Sequence, residues 1–136
     1  MTKRGQIAFE YLIIVGFLVF VLIGILGVGL FYSGSINDRI KLTQLNNCAN
    51  KIISTSESIF YFGEPSKATI KCYFPENIKT IEIIDNYLIF TITTNSGINK
   101  ISFSSNVPIN GNLTLSPGLK KIEIRAYEDY ALISIA

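Results

Sequence analysis

Along the chain the apolar positions fall into three successive patterns, each of which predicts a different element. Residues 11–37 contain no Asp, Glu, Lys or Arg, and 11–32 read YLIIVGFLVFVLIGILGVGLFY. As a helix of about 1.5 Å rise per residue, that run covers roughly 33 Å, the thickness of a bilayer's hydrocarbon core. No proline interrupts it, so a continuous transmembrane helix is expected. Ser33, Gly34 and Ser35 then read as a hinge or cap, with Ser35 and Asp38 spaced as in a capping box. Beyond them the periodicity stays helical but becomes amphipathic. Leu42, Leu45, Ala49, Ile52 and Ile59 recur at three- and four-residue intervals, Ser56 fills one slot, and Ile53 and Phe60 widen the stripe. This face is expected to lie on a globular head. Ile36 and Ile40 point the other way, toward a neighbour outside the subunit or simply into solvent. Gly63 and Pro65 end the helix near Phe62. If its two halves are continuous, the helix is about 85 Å long, which does not suit a compact monomer.

From Ala68 onward the period falls to two, and short runs are separated by turn residues. Strands are predicted at 68–74, 79–85, 87–94, 98–104, 113–115, 119–127 and 130–135. Asp85-Asn86, Asn95-Ser96-Gly97, Pro117-Gly118 and Glu128-Asp129 supply turns. Inward positions include Ile70, Cys72, Leu88, Phe90, Ile92, Ile122, Ile124 and Ile133, with Ala68, Ile81, Ile83, Ile101, Phe103, Ala126 and Ile135. The predicted fold class is α+β, a long N-terminal α-helix, membrane-spanning and then amphipathic, packed on a C-terminal antiparallel β-rich head.

Composition sharpens this picture. Of 136 residues 49% are hydrophobic and only 16% charged, against about 25% charged in ordinary globular chains, and the mean hydropathy is +0.39. Twelve Lys and Arg against 10 Asp and Glu leave a formal charge of +2, far from the concentrated basic field of nucleic-acid binding, so no nucleic-acid partner is expected. His and Trp are absent, which removes His-based acid–base catalysis and His metal ligation. Lys71, Glu82, Lys100, Glu123 and Arg125 read as a solvated sheet face with no nucleophile beside them. Accordingly no catalytic residue, metal or cofactor is predicted, and no enzymatic activity.

The N-terminus carries the sharpest signal. Lys3 and Arg4 hold that end in the cytoplasm and place the rest of the chain outside, and the apolar run continues without an Ala-x-Ala exit, so the anchor is expected to be retained. The order Lys3-Arg4-Gly5-Gln6-Ile7-Ala8-Phe9-Glu10-Tyr11-Leu12 resembles the class III signal peptide of archaeal type IV pilin-like proteins. Many members have Ser where this chain has Ala8. The resemblance implies that a prepilin peptidase cuts between Gly5 and Gln6, that the apolar helix stays in the mature protein, and that Glu10 becomes its fifth residue. It further implies a structural subunit of a type IV-like pilus. Such a subunit is inserted in the cell membrane as a precursor, then handed to the pilus assembly machinery and polymerised as a homo-oligomeric helical filament on the cell surface, serving adhesion. The domains on this reading are a leader at 1–5, a filament-core helix at 6–35, an amphipathic helix at 36–62 and an extracellular head at 63–136. The alternative is a single-pass membrane-anchored extracellular binding protein that does not polymerise, or a minor pilin; a membrane-tethered enzyme has almost no support in the residue inventory.

Glu10 has a physical interest of its own, because a carboxylate at the edge of hydrocarbon is costly unless it is paired or held in the headgroup layer. Cleavage after Gly5 creates an α-amine on Gln6, four residues away, which in a staggered array meets the Glu10 of a neighbouring subunit. The plainer reading is that Glu10 marks the membrane boundary. Gly16, Gly24, Gly27 and Gly29 punctuate the helix, and Gly29 with Ser33 forms a small-xxx-small pair that allows close helix approach. Removing two of the 12 basic side chains with the leader brings them level with the 10 acidic ones, limiting like-charge repulsion in a polymer. Cys48 at the border of the amphipathic stripe and Cys72 in the head both point between helix and sheet and form a candidate disulfide worth about 3 kcal/mol, two free thiols being the other reading. Asn112-Leu113-Thr114 is a candidate glycosylation sequon at Asn112, with an unmodified loop as the alternative.

Overall fold

The fold is taken from a computed structural model of the chain, which describes the backbone of residues 3–136 and side chains from Gly5 onward. Met1 and Thr2, in the predicted leader, and the side chains of Lys3 and Arg4 lie outside the described residues. The chain divides into two units, Met1–Asn37 and Asp38–Ala136.

Helix α1 runs Lys3–Phe62. Its backbone stays helical through Ser33, Gly34 and Ser35, which corrects the expected hinge or cap. Inside a helix each N–H already reaches the carbonyl four residues back, so Ser35 and Asp38 have no orphan donors to cap. Asp38 is used differently, its Oδ2 accepting the backbone N–H of Asn95 at 2.9 Å. The helix ends as predicted. Gly63 adopts φ 77°, and its N–H donates to the carbonyls of Ile59 at 3.2 Å and Phe60 at 3.1 Å, a left-handed closure that glycine takes without steric cost.

Seven strands follow: β1 Lys67–Phe74, β2 Ile78–Ile84, β3 Tyr87–Thr94, β4 Gly97–Ser104, β5 Ile109–Asn112, β6 Gly118–Ala126 and β7 Ala131–Ile135. They form a four-stranded sheet in the order β1-β6-β7-β5 and a three-stranded sheet in the order β2-β3-β4. The β2–β3 hairpin turns on Asp85 (φ 46°) and Asn86 (φ 71°), the paired positive φ values that match the twist of the flanking strands. One prediction fails here. Residues 113–115 form no strand; the fifth strand is instead β5 at Ile109–Asn112, and it pairs with β7 in parallel, Ile109 opposite Ala131 and Asn112 opposite Ser134. Every other pairing is antiparallel, and the α+β class stands. Asn110-Gly111-Asn112 has the composition of a turn, but at Gly111 (φ 146°) it also lets two backbones touch. A Cβ there would lie 1.9 Å from the Ile133 carbonyl oxygen.

The core of the second unit is assembled from the amphipathic stripe of α1 and the inward faces of both sheets. Leu45, Ala49 and Ile52 are fully buried, as are Leu88, Phe90, Ile122, Ile124 and Ile133, and all the predicted inward positions belong to this cluster or pack against it. The ring of Phe90 lies 6.4 Å from that of Phe74 and 6.1 Å from that of Phe103. Ser56, the polar slot in the stripe, is fully buried, and its hydroxyl donates to the Ile52 carbonyl at 2.8 Å, so no polar group is stranded there.

Candidate assembly segment and head surface

In the first unit, Gly5, Gln6, Glu10, Tyr11 and Leu12 all lie on helical backbone. Gln6 and Glu10 are one helical turn apart and therefore on one side of the helix. The apolar side chains from Ile7 to Tyr32 are exposed, Phe31 by 84% and Leu30 by 78%. A continuous apolar surface of this kind does not persist in water, and the helix is long and apolar enough to cross a membrane. A Cβ placed on Gly16, Gly24, Gly27 or Gly29 would meet no atom within 4 Å, so the chain's own packing does not demand glycine at any of them. The ion pairs formed between described residues are Lys100–Glu82 and Arg125–Glu123; Glu10 takes part in neither.

In the second unit the two cysteines are joined. Cys48 on α1 and Cys72 on β1 form a disulfide with Cα atoms 5.4 Å apart. Both are almost fully buried. The alternation of β1 points Cys72 inward with Ile70 and Phe74, which is why the helix stripe meets it. Asn112 is exposed at the end of edge strand β5, accessible to modification.

Two carboxylates escape a reading of the sequence. Asp38 holds the β3–β4 turn through Asn95, and Glu57 Oε1 accepts the N–H of Asn106 in the β4–β5 loop at 2.9 Å. Each bond closes across about fifty residues or more of chain, so local pattern carries no sign of it. The expected single solvated face is in fact two. Glu82 and Lys100, 3.9 Å apart, belong to the three-stranded sheet, whereas Lys71, Glu123 and Arg125 belong to the four-stranded one. The Glu123 carboxylate accepts a hydrogen bond from Arg125 Nε, and that bond, with the opposite charge beside it, pushes the Arg125 guanidinium above its ordinary pKa. Among the described residues no group of three or more His, Cys, Asp and Glu is arranged to hold a metal ion.

Comparisons of the chain with protein-family models, with curated proteins and with solved structures find no match. The chain thus has a long apolar N-terminal helix, compatible with membrane insertion, followed by a disulfide-linked β-rich domain.

Proposed function

We propose that this chain is a structural subunit of an archaeal type IV-like pilus. A prepilin peptidase cleaves it between Gly5 and Gln6, and it polymerises through its N-terminal helix into a surface filament that serves adhesion. The observation that carries this reading is the junction itself: Lys3-Arg4-Gly5-Gln6, then Glu10 at the threshold of an apolar helix whose side chains stand exposed. Lipid covers that surface in the precursor. In a filament, identical helices replace the lipid, and close approach through the glycines supplies the van der Waals packing that acyl chains gave before. Glu10 then pairs with the new α-amine of a neighbouring Gln6 and sets the register.

The test has two parts. N-terminal sequencing of the protein from its native host should begin at Gln6, and electron microscopy of cells overproducing it should show filaments. The Glu10→Gln variant should remain processed and membrane-bound yet form none. An intact Met1, or normal filaments from the variant, would refute the cleavage and the pairing respectively.

A further inference from the structure

The register of β1 against β6 places like charges opposite each other on the solvent side of the four-stranded sheet. Lys67 faces Arg125, and Lys71 faces Lys121, and all four are exposed. Directly opposed like charges destabilise a sheet, and solubility would be served equally well by opposite signs. At about 3.3 Å per residue the two cationic pairs lie ~13 Å apart along the strands. Glu123 is the single acidic residue in the four strands of this sheet, and it is already bonded to Arg125. Glu64 also lies beside Lys67 and Arg125, so the unoffset positive charge of this face is concentrated at Lys71 and Lys121, on a chain whose total charge is nearly balanced.

Beside this face, an open depression flanks the Cys48–Cys72 bridge. It is lined by Gln44, Asn47 and Lys51 of α1 and by Lys71 and Tyr73 of β1. Tyr73 is 46% exposed. The set combines ammonium groups for carboxylate or sulfate, side-chain amides that donate to and accept from hydroxyls, and an aromatic ring for the apolar face of a sugar. We propose that the outer face of β1 and β6, with this depression, binds an acidic polysaccharide. Charge complementarity selects the polyanion, and the amides with the single tyrosine select the sugar. A nucleic-acid strand would instead call for a series of stacking rings and a larger basic field. The inference deepens the adhesion reading and rests on it only for the head's placement outside the cell; the binding itself does not require polymerisation.

The experiment uses the full chain, solubilised in an uncharged detergent, with oligogalacturonate as the probe and uncharged oligogalactose as its control. Oligogalacturonate should bind, more weakly as salt rises, and the uncharged sugar should not. Lys71→Gln with Lys121→Gln should weaken binding at least tenfold, and Tyr73→Ala at least threefold, with thermal unfolding confirming that each variant is folded. Lys79→Gln with Lys100→Gln, on the other sheet, should leave affinity unchanged. Equal binding of the uncharged sugar, equal competition by duplex DNA at matched charge, or an equal loss in the Lys79 and Lys100 variant would overturn the proposal. Absence of filaments in the assembly test would leave this result standing, and absence of binding here would leave assembly standing.

Discussion

Reducing the Cys48–Cys72 bond isolates one quantity, the cost of untying α1 from β1. The bonded cysteines are 24 residues apart in sequence. In the chain-entropy treatment a closed loop of that size restricts the unfolded chain by about 11–12 cal/mol/K, or roughly 3.5 kcal/mol at 25 °C. The two cysteines are 4% and 3% exposed, so the reduced thiols keep the same packing volume and the difference reports the cross-link with little cavity contribution. For a domain of this size each kcal/mol is worth about 4–8 °C in Tm, so reduction should lower Tm by some 15 °C or more. The measurement is a pair of thermal and urea unfolding curves on the detergent-solubilised chain, with and without a phosphine reductant, followed by near-ultraviolet circular dichroism. Location adds a second readout. β1 is an edge strand of its sheet, held by β6 on one side only, so its amides should lose hydrogen-exchange protection first in the reduced protein. Oxidised and reduced curves that coincide within ~0.5 kcal/mol would refute the reasoning. So would loss of protection that begins in β7, which has neighbours on both sides.

Other perturbations test separate joints of the head. Gly111→Ala drives a Cβ to 1.9 Å from the Ile133 carbonyl oxygen at a φ of 146°. Because the obstructing atoms are the backbone of Ile133 rather than a flexible side chain, it should cost more than ~3 kcal/mol or prevent the head from folding, and a thermal midpoint within a few degrees of wild type would show that β5 does not lie as described. Glu57→Ala removes the acceptor of the Asn106 N–H. It should cost about 0.5–1.5 kcal/mol and speed exchange of that amide while leaving the Asn95 amide, held by Asp38, unchanged. Lys71→Gln should raise stability by about 0.2–1 kcal/mol, because it relieves the opposed pair with Lys121, and an unchanged or lowered urea midpoint would show that the pair is not strained.

Where side-chain period alone decides the structure, the residues make it legible. The stripe from Leu45 to Ile59 and the alternation through Ile70, Cys72 and Phe74 specify which sides are buried, and the Cys48–Cys72 contact follows from putting those two sides together. The Asp85-Asn86 turn is local chemistry, and so is the stop at Gly63. Most of the misses concern partners distant in sequence. Strand β5 reads as a loop because Asn110-Gly111-Asn112 looks like a turn, and only the approach of Ile133 reveals why glycine sits there. Ser33-Gly34-Ser35 looks like a break, because small polar residues near Asp38 fit both a cap and an uninterrupted helix, and the backbone adopts the latter. Asp38 and Glu57 resemble any exposed carboxylate on a helix flank until the loops they hold are brought beside them.

Charge shows the same limit most sharply, since it is a property of register more than of composition. The chain has nearly equal numbers of acidic and basic residues, which on its own argues against a polyanion partner. Pairing β1 with β6 nevertheless collects Lys67, Lys71, Lys121 and Arg125 on one face, while Asp38, Glu57 and Glu82 are occupied elsewhere by Asn95, Asn106 and Lys100. A one-residue slip of β6 would turn Lys121 and Arg125 toward the core and Ile122 and Ile124 toward water. Hydrophobic burial therefore fixes the placement of the cations with far more free energy than their repulsion opposes, and the cationic face persists because the core on its other side holds the register. The proposed binding at this face would thus need no conformational change to gather the charges, and an anionic partner would relieve a repulsion already present in the folded head.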